Sequence, residues 1–435
     1  MTRPLPQPVR IYRVGGSVRD ELLERPVSDR DWVVVGAAPE IMLASGFRPV
    51  GKDFPVFLHP ETRDEYALAR TERKHGRGHR GFQFFATPEV TLEEDLRRRD
   101  LTINAMARAP DGQLIDPYGG EADLRAGVLR HVSPAFAEDP LRVLRVARFA
   151  ARFDFRIADE TLALMRCIVA ARELETLAPE RVWRELARGL CEAHPSRMLD
   201  ALRACNALVE LLPELDALYA ILVSDERLRD DNAGAFTARA LDWSAVHALT
   251  LPARYAVLTQ ELDRVDAAGG RRFDTRAGIS RVEAVSKRLR VPLDCRDVAR
   301  LAVRWHRVIA DVEALTPAAL LDLLLVADAL RRPDRLDALA AAAAAHVVAH
   351  DVTEASGARA AEPTERERTA LLHEALAVVR TIDAATIARE AIARAAQSDR
   401  SPPAGAPGDA IASALRAARI GALRDWKVRK RGGKA

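Results

Sequence analysis

Two aspartates, Asp29 and Asp31, lie two residues apart at the start of a valine-rich segment. Side chains alternate between the two faces of a strand, so both carboxylates are predicted to point one way and Arg30 the other. Neighbouring carboxylates repel each other unless a cation lies between them, and oxygen ligands suit Mg²⁺ or Mn²⁺. The spacing therefore indicates a divalent-metal site, although a single Asp-x-Asp pair is more often a solvated strand edge.

A glycine pair, Gly15-Gly16, precedes a predicted helix that carries Arg19. Glycine lets backbone amides approach a ligand closely because it has no Cβ, and a helix N-terminus favours anions. Arg19, in the first turn, can donate two hydrogen bonds to phosphate oxygens. Together with the aspartates, these residues predict a nucleoside triphosphate held by Mg²⁺.

The elements that must position these residues form a small β-turn-α-β unit. The pattern predicts a strand over residues 11–14, a helix, a loop containing Pro26 and a second strand that ends at Val35. A further strand is predicted to begin at Glu65, whose carboxylate could orient or deprotonate an attacking hydroxyl. The sequence leaves open whether Glu65 has that role or is an exposed strand residue.

A second set of candidates lies on a helix predicted to begin at Asp139-Pro140. Four arginines follow at three- and four-residue spacing: Arg142, Arg145, Arg148 and Arg152. Only Asp139 and Asp154 lie near them in the sequence, so the stripe is unbalanced, and a triphosphate or an RNA backbone would balance it. From the residues alone, a helix cap is the better explanation of Asp139.

Two other arginine-rich segments have simpler explanations. Residues 71–81 are polar, basic and rich in glycine, which predicts a mobile loop. The run Arg97-Arg98-Arg99 follows three acidic residues on a predicted amphipathic helix, with apolar residues at helical spacing as far as Met106. Ion pairing along that helix explains Arg97 and Arg98.

Four motifs in a fixed order resemble a known family. They are GGSVRD at 15–20, DRDWVVVG at 29–36, RRDLTINAMA at 98–107 and EDPLRVLRVARFAARF at 138–153. In this order they are similar to the bacterial and eukaryotic type of CCA-adding tRNA nucleotidyltransferase, in the DNA polymerase β-like superfamily. The resemblance runs from residue 11 to about 213. It implies an α+β fold, with a mixed-sheet nucleotidyltransferase head followed by an all-helical neck, body and tail.

The resemblance also implies an activity and a role for each matching residue. The activity is template-independent addition of CCA to the 3′ end of tRNA from CTP and ATP, with two Mg²⁺ ions and release of pyrophosphate. Asp29 and Asp31 would hold the metal ions, with Glu65 as the third catalytic carboxylate. Asp139 and Arg142 would select the base. The triphosphate would be held by Gly16, Arg19, Arg99, Arg145 and Arg148.

We predict four domains from composition and from the extent of the resemblance. Residues 1–118 would form the catalytic head and 119–223 the helical neck, which carries the base-selecting helix and an RNA-binding surface. Residues 224–335 would be a helical region in the place of a degenerate HD phosphohydrolase module. Residues 336–435 would be a helical tail with a disordered basic end.

The third of these regions departs from the resembling family. Many relatives carry a His-Asp doublet of metal ligands there, whereas this chain has Gln260-Glu261. Glutamine is a poor ligand for transition metals, and His247 and His306 are predicted to be isolated. We therefore expect no phosphohydrolase activity. His346 and His350, one helical turn apart, have the spacing of a metal-binding pair, but no third ligand is clear, so we predict no metal site there.

Bulk properties narrow the class of protein. The chain has 435 residues, a formal net charge of +3 and four scattered cysteines, which argue against a disulfide framework. The N-terminus does not resemble a signal peptide and no apolar run is long enough to span a membrane. These features predict a cytoplasmic protein with no membrane partner, and the resemblance implies tRNA, CTP and ATP as its partners.

Other functions remain compatible with the same motifs. A poly(A) polymerase of the same superfamily would share the head, and a non-catalytic RNA-binding relative would share the helical part. A sugar-nucleotide transferase that uses Asp-x-Asp would leave the glycine turn and the arginine helix unexplained. The sequence leaves open the oligomeric state and whether full CCA, CC only or A only is added.

Overall fold

The computed structural model describes residues 5–6, 8–27, 30–50, 56–74, 82–85, 87–222, 232–265, 273–351, 365–396 and 407–432. Contacts between Cα atoms divide the chain into two compact units, Met1–Pro213 and Glu214–Ala435. The first unit contains the predicted head and most of the predicted neck. The finer domain boundaries at 118, 223 and 335 stay predictions.

All strands among the described residues lie in the first unit. They are β1 (Arg10–Val14), β2 (Asp31–Val35), β3 (Arg48–Pro49), β4 (Val56–Leu58), β5 (Glu65–Leu68), β6 (Thr71–Lys74), β7 (Phe82–Phe85), β8 (Ala107–Arg108), β9 (Leu114–Ile115), β10 (Val128–Leu129) and β11 (Arg156–Ile157). Seven of these strands form one sheet in the order β3-β4-β5-β2-β1-β8-β9. Strands β2 and β5 are parallel and the other neighbours are antiparallel, so the sheet is mixed.

Alternation along β2 gives the sheet two different faces. Val33 packs with Val14 and Leu96 in one apolar cluster, whereas Val34 packs with Met42 in another. Side chains of successive strand residues point to opposite faces, so Asp31 shares the face of Val33. The apolar clusters on both sides hold the strand in this register.

Helices make up the rest of the first unit. They are α1 (Gly16–Leu22), α2 (Pro39–Ala44), α3 (Leu92–Arg97), α4 (Gly120–Arg125), α5 (Leu141–Phe153), α6 (Asp159–Ala170), α7 (Pro179–Leu190), α8 (Pro195–Ala204) and α9 (Ala207–Leu211). A short α10 (Pro213–Asp216) begins at the unit boundary. Helix α5 contacts α7 and α8, which fixes the arginine-bearing helix within this unit.

The described part of the second unit is helical. Its helices are α11 (Ala233–Val246), α12 (Leu251–Thr259), α13 (Thr275–Arg288), α14 (Leu293–Ala310), α15 (Pro317–Val326), α16 (Pro333–Asp351), α17 (Glu365–Arg380), α18 (Ala384–Ala396) and α19 (Pro407–Gly432). Within the described ranges, no helix is both long and apolar enough to cross a membrane.

The predicted α+β class is confirmed, and three local predictions are wrong. The amphipathic helix that was expected to continue toward Met106 ends at Arg97, and a 3₁₀ turn over Thr102–Asn104 follows it. Thr71–Lys74 pairs with Phe82–Phe85 as a strand, although the centre of the predicted mobile loop lies outside the described residues. The basic end of the chain is helical as far as Gly432 rather than disordered.

Candidate active site

A cavity of about 600 Å³ opens in the first unit, and residues from both halves of the sequence prediction line it. Nine of the ten predicted site residues contribute: Gly16, Arg19, Asp31, Glu65, Arg99, Asp139, Arg142, Arg145 and Arg148. The tenth, Asp29, lies outside the described residues. The fold therefore brings together motifs that are more than 100 residues apart in the sequence.

The two described carboxylates lie side by side on neighbouring strands. Asp31 at the start of β2 is the Cα partner of Glu65 at the start of β5. Both are exposed, and paired residues of adjacent strands share a face, so their side chains stand on the same side of the sheet. The sequence did not determine the register of β5. In the structure, this register places Glu65 beside Asp31. Two adjacent carboxylates supply the oxygen-rich, negatively charged donor set that a hard divalent cation requires.

The glycine turn lies against an arginine. Gly15 has φ +69°, and a Cβ added there would be 2.7 Å from Nη1 of Arg99. A larger residue would therefore be strained in its backbone and would displace the guanidinium. The Arg99 side chain is held by the backbone oxygen of Asn104 at 3.4 Å and by Asp95 at 3.3 Å.

Arg19 is held from several sides and is only 3% exposed. Its Nη1 donates to Oδ1 of Asn104, and its Nη2 lies 2.8 Å from Oδ1 of Asp20. Its guanidinium carbon lies 4.9 Å from the centre of the Phe153 ring, a cation–π contact. Burial lowers the pKa of Arg19, but an arginine remains charged at neutral pH.

A buried carboxylate, Asp100, connects the arginines of the cavity. It accepts hydrogen bonds from Nε of Arg145 at 2.8 Å, from Nδ2 of Asn104 at 3.0 Å and from the backbone amide of Leu101 at 2.9 Å. Burial alone would raise the pKa of Asp100, but Arg145, Asn104 and Arg142 outweigh it, and the pKa is lowered. Asp100 in turn raises the pKa of Arg145.

Asp100 and Asn104 were missed in the sequence. Both are buried, and they are two polar residues four positions apart in the otherwise mainly apolar segment DLTINAMA. Buried polar groups are normally hydrogen-bonded, so this spacing was a usable signal for a polar network.

The arginines of α5 find partners that the sequence did not reveal. Nε of Arg148 donates to Glu185 of α7 at 2.7 Å, and Nη2 of Arg152 donates to Asp20 of α1 at 3.0 Å. The stripe was predicted to be unbalanced, and tertiary contacts instead supply carboxylates for part of it. An excess of positive charge nevertheless remains: among the described residues, nine arginines and four carboxylates line the cavity.

The two residues assigned to base selection are engaged with the protein in this structure. Oδ1 of Asp139 accepts from the backbone amide of Leu141 at 3.1 Å, which is the predicted cap, and Oδ2 accepts from Arg181 at 3.1 Å. Arg142 donates to the backbone oxygens of Ala135 and Arg98 at 2.8 and 2.7 Å. The cap therefore uses one oxygen of Asp139, and Arg181 is a cavity residue that the sequence did not suggest.

A separate polar cluster lies in the second unit and corrects one prediction. His306 is not isolated: its Nε2 lies 3.2 Å from Oε1 of Glu261, and Nδ1 of His346 lies 2.8 Å from the same oxygen. All three residues are buried. His247, by contrast, is exposed and stacks on Trp243. His346, on α16, contacts Glu261, whereas the side chain of His350 is not among those that the structure describes.

Two arginines complete this cluster. Arg264 donates to Oε2 of Glu261, and Nη1 of Arg307 donates to Nε2 of His306 at 2.8 Å. Burial would raise the pKa of Glu261, but His346, His306 and Arg264 lower it well below its usual value. Its negative charge is therefore already balanced by guanidinium groups.

The comparisons with known proteins agree with this architecture. Residues 11–130 match the family model described as "Poly A polymerase head domain", and residues 154–219 match "Probable RNA and SrmB- binding site of polymerase A". Over its whole length, the chain resembles the crystal structure of the Bacillus stearothermophilus CCA-adding enzyme in complex with CTP, with a TM-score of 0.64 and 22% identity, covering 98% of this chain and 94% of that one. At that identity the likeness is one of fold.

Closer relatives establish the family. The "Multifunctional CCA protein" of Azoarcus sp. (strain BH72) is 51% identical over 386 residues, which cover 88% of this chain and 92% of the relative. The protein of the same name from Dechloromonas aromatica (strain RCB) is 55% identical over 332 residues, covering 75% of this chain and 81% of the relative. Identity of this degree over most of both chains places the protein in the family of the multifunctional CCA proteins.

Proposed function

We propose that this protein adds the CCA sequence to the 3′ end of tRNA without a template, using CTP and ATP and releasing pyrophosphate. The observation that carries the proposal is the pairing of Asp31 with Glu65 in the same cavity as an excess of arginines. Carboxylates on one side and cations on the other suit a metal-bound triphosphate. The relatives at about 50% identity are named CCA proteins, which supports this choice of product.

Nucleotidyltransferases of this family generally use divalent metal ions, and the cavity offers fitting ligands. We propose two Mg²⁺ ions, held by Asp31 together with Asp29, with Mn²⁺ as a substitute. When bound, these ions would lower the pKa of the terminal 3′-hydroxyl and neutralise the departing pyrophosphate. Glu65, one strand away, is positioned to orient that hydroxyl or to accept its proton.

The arginines would hold the triphosphate in line for attack. Arg19 and Arg145 are linked through Asn104 and Asp100, so their guanidinium groups are positioned before a ligand arrives. Pre-positioned donors stabilise developing charge without reorganising during the reaction. Gly16, Arg99 and Arg148 are assigned to the same triphosphate.

Asp139 and Arg142 would select the base. A carboxylate accepts a hydrogen bond from the exocyclic amino group that cytosine and adenine share, and a guanidinium donates to their ring acceptors. Uracil and guanine present a different pattern at those positions. Both side chains must exchange protein partners for the base, since Asp139 binds Arg181 and Arg142 binds backbone oxygens here.

We further propose that the chain lacks HD phosphohydrolase activity. Gln260-Glu261 stands where the resembling family has His-Asp, and the charge of Glu261 is balanced by Arg264 and by the neighbouring Arg307. A cation would have to compete with these guanidinium groups for the carboxylate. A cytoplasmic location stays a prediction from the sequence.

The direct test is an incorporation assay with purified protein, CTP, ATP, Mg²⁺ and a tRNA that lacks CCA. We expect extension by three nucleotides in the order C, C, A, and then a stop. A long ladder of A residues would identify a poly(A) polymerase instead. Binding of tRNA without release of pyrophosphate under any nucleotide would identify a non-catalytic RNA-binding relative.

A further inference from the structure

A second cavity, of about 460 Å³, lies in the first unit, and we name it the back cavity. Its polar lining consists of Arg13, Arg30, Arg108, Trp32 and Glu21. Arg13 on β1 is the Cα partner of Trp32 on β2 and of Arg108 on β8, so the three side chains form a row on one face of the sheet. Asp31 precedes Trp32 by one residue, so the row faces away from the catalytic carboxylates.

The back cavity carries uncompensated positive charge. Among the described residues it is lined by three arginines and one carboxylate, Glu21. Glu21 accepts from Nη2 of Arg13 and, at 2.7 Å, from Nη2 of Arg108. Burial, followed by the charges of Arg108 and Arg30, lowers the pKa of Arg13, which indicates that the three cations are close enough to repel one another. A bound anion would relieve this repulsion.

Within the described part of the chain, the same row contains hydrogen-bond donors that lack acceptors. Nε of Arg13, Nε of Arg108 and Nε1 of Trp32 are buried N–H groups with no partner among the described residues. Buried donors in folded proteins are nearly always hydrogen-bonded, and an unmade bond costs free energy. Three such donors on adjacent strands indicate that the cavity is completed by an acceptor-rich group that reaches them after small rotations of the side chains.

We propose that the back cavity binds a phosphate group. A phosphate carries negative charge and several acceptor oxygens, and a guanidinium group matches two of those oxygens at once. A carboxylate offers only two oxygens and one charge, which would leave part of this donor set unpaired. The volume of 460 Å³ exceeds what one phosphate occupies and leaves room for an attached sugar.

The phosphate can belong to an RNA backbone or to a free phosphate compound, and the experiment separates these sources. The RNA source rests on the proposed function, since it requires that tRNA is bound. Binding of a free phosphate compound does not depend on the proposed function. Binding of free phosphate is therefore decided even if the protein has another substrate.

The test variant is Arg30→Gln combined with Arg108→Gln, which removes two charges but keeps polar side chains. The matched control is Arg300→Gln combined with Arg394→Gln, whose side chains are 45% and 73% exposed and lie in the second unit, outside both cavities. Circular dichroism and thermal unfolding show whether each variant is folded. If the double variant does not fold, Arg30→Gln alone is used, because Arg30 is exposed.

Free phosphate is measured by the ³¹P line width of inorganic phosphate with no nucleotide and no RNA present, and the double variant is compared with the control, in which both cavities are unaltered. We expect saturable broadening with the native protein and with the control. In the double variant the affinity should fall at least tenfold. RNA is measured as the salt dependence of tRNA binding, whose slope changes by about 0.7 to 0.9 for each phosphate that the protein no longer neutralises.

Each outcome has one meaning. If the double variant binds phosphate more weakly but the salt dependence of its tRNA binding is unchanged, the back cavity binds a free phosphate compound. A shallower tRNA slope with no change in phosphate binding assigns it to the RNA backbone, and both changes together show that it accepts phosphate from either source. If the double variant equals the control in both measurements, the proposal is overturned.

Discussion

Nε of Arg145 donates to Oδ2 of the buried Asp100 at 2.8 Å, and Nη2 of the same guanidinium lies 2.7 Å from that oxygen. Through its other oxygen, Asp100 also accepts from Asn104, which accepts from Arg19. One carboxylate thus connects an arginine on α5 with an arginine on α1. This connection sets the spacing of the two cations across the cavity that we assign to the triphosphate.

Replacing Asp100 by asparagine should lower both stability and nucleotide affinity. The substitution leaves Arg145 without its counter-charge, and breaking a largely buried ion pair costs on the order of 3 kcal/mol. We expect the free energy of unfolding in urea to fall by about that amount and the KM for CTP to rise. Asp154→Asn is the control, because its ion pair with Arg197 is about half exposed and should cost less than about 1 kcal/mol. Equal effects of the two substitutions would contradict the role given to Asp100.

Replacing Asp139 by asparagine should relax the choice of base. A carboxylate only accepts hydrogen bonds, whereas a carboxamide can also donate to the O4 oxygen of uracil. We expect the ratio of kcat/KM for CTP over UTP to fall at least tenfold, a change of about 1.4 kcal/mol. The measurement is single-nucleotide incorporation with each nucleotide. An equal fall in kcat/KM for CTP and UTP would mean that Asp139 serves only as the cap of α5.

The buried histidines of the second unit should make stability depend on pH. Burial lowers the pKa of His346 from 6.5 to about 4, and burial also lowers the pKa of His306. Between pH 6.5 and about 4 the unfolded chain therefore binds more protons than the folded chain, so stability falls as the solution becomes more acidic. Asp263 acts in the opposite direction, because burial raises its pKa to about 6.

A variant isolates the contribution of His346. In His346→Gln this titration is absent, so the slope of unfolding free energy against pH in that window should decrease by up to about 1.4 kcal/mol per pH unit, the value for one proton. Chemical unfolding between pH 4 and 7 measures the slope. The exposed His247, replaced by glutamine, is the matched control and should leave the slope unchanged. A native slope in His346→Gln would show that His346 is not held neutral by burial.

Local patterns in the sequence were sufficient for the first β-turn-α-β unit of the predicted head. The β-turn-α-β unit and the glycine turn depend on interactions between near neighbours, and the strands β1 and β2 lie where the alternation of side chains predicted them. Placing Glu65 beside Asp31 needed more, because the register of β5 is set by packing of Tyr66 and Leu68 against other elements.

The partners of the arginines could not be predicted, because they come from distant parts of the chain. Glu185 is 37 residues from Arg148, and Asp20 is 132 residues from Arg152. Ion pairs of this kind depend on how helices pack, and charge counted along one helix does not contain that information. The same reason explains His306, which looked isolated in sequence and meets Glu261 only because α14 packs against the 3₁₀ turn Gln260–Asp263.

The central claim is that Asp31 holds the divalent metal that nucleotide transfer requires. The most direct measurement is single-turnover incorporation of CMP into a tRNA lacking CCA by Asp31→Ala, with tRNA affinity measured on the same preparation. Asp111→Ala, at an exposed turn, is the matched control. We predict that Asp31→Ala incorporates CMP at least about a thousandfold more slowly, a loss of about 4 kcal/mol, while it binds tRNA as tightly as the control. Incorporation by Asp31→Ala at the rate of the control would contradict the account.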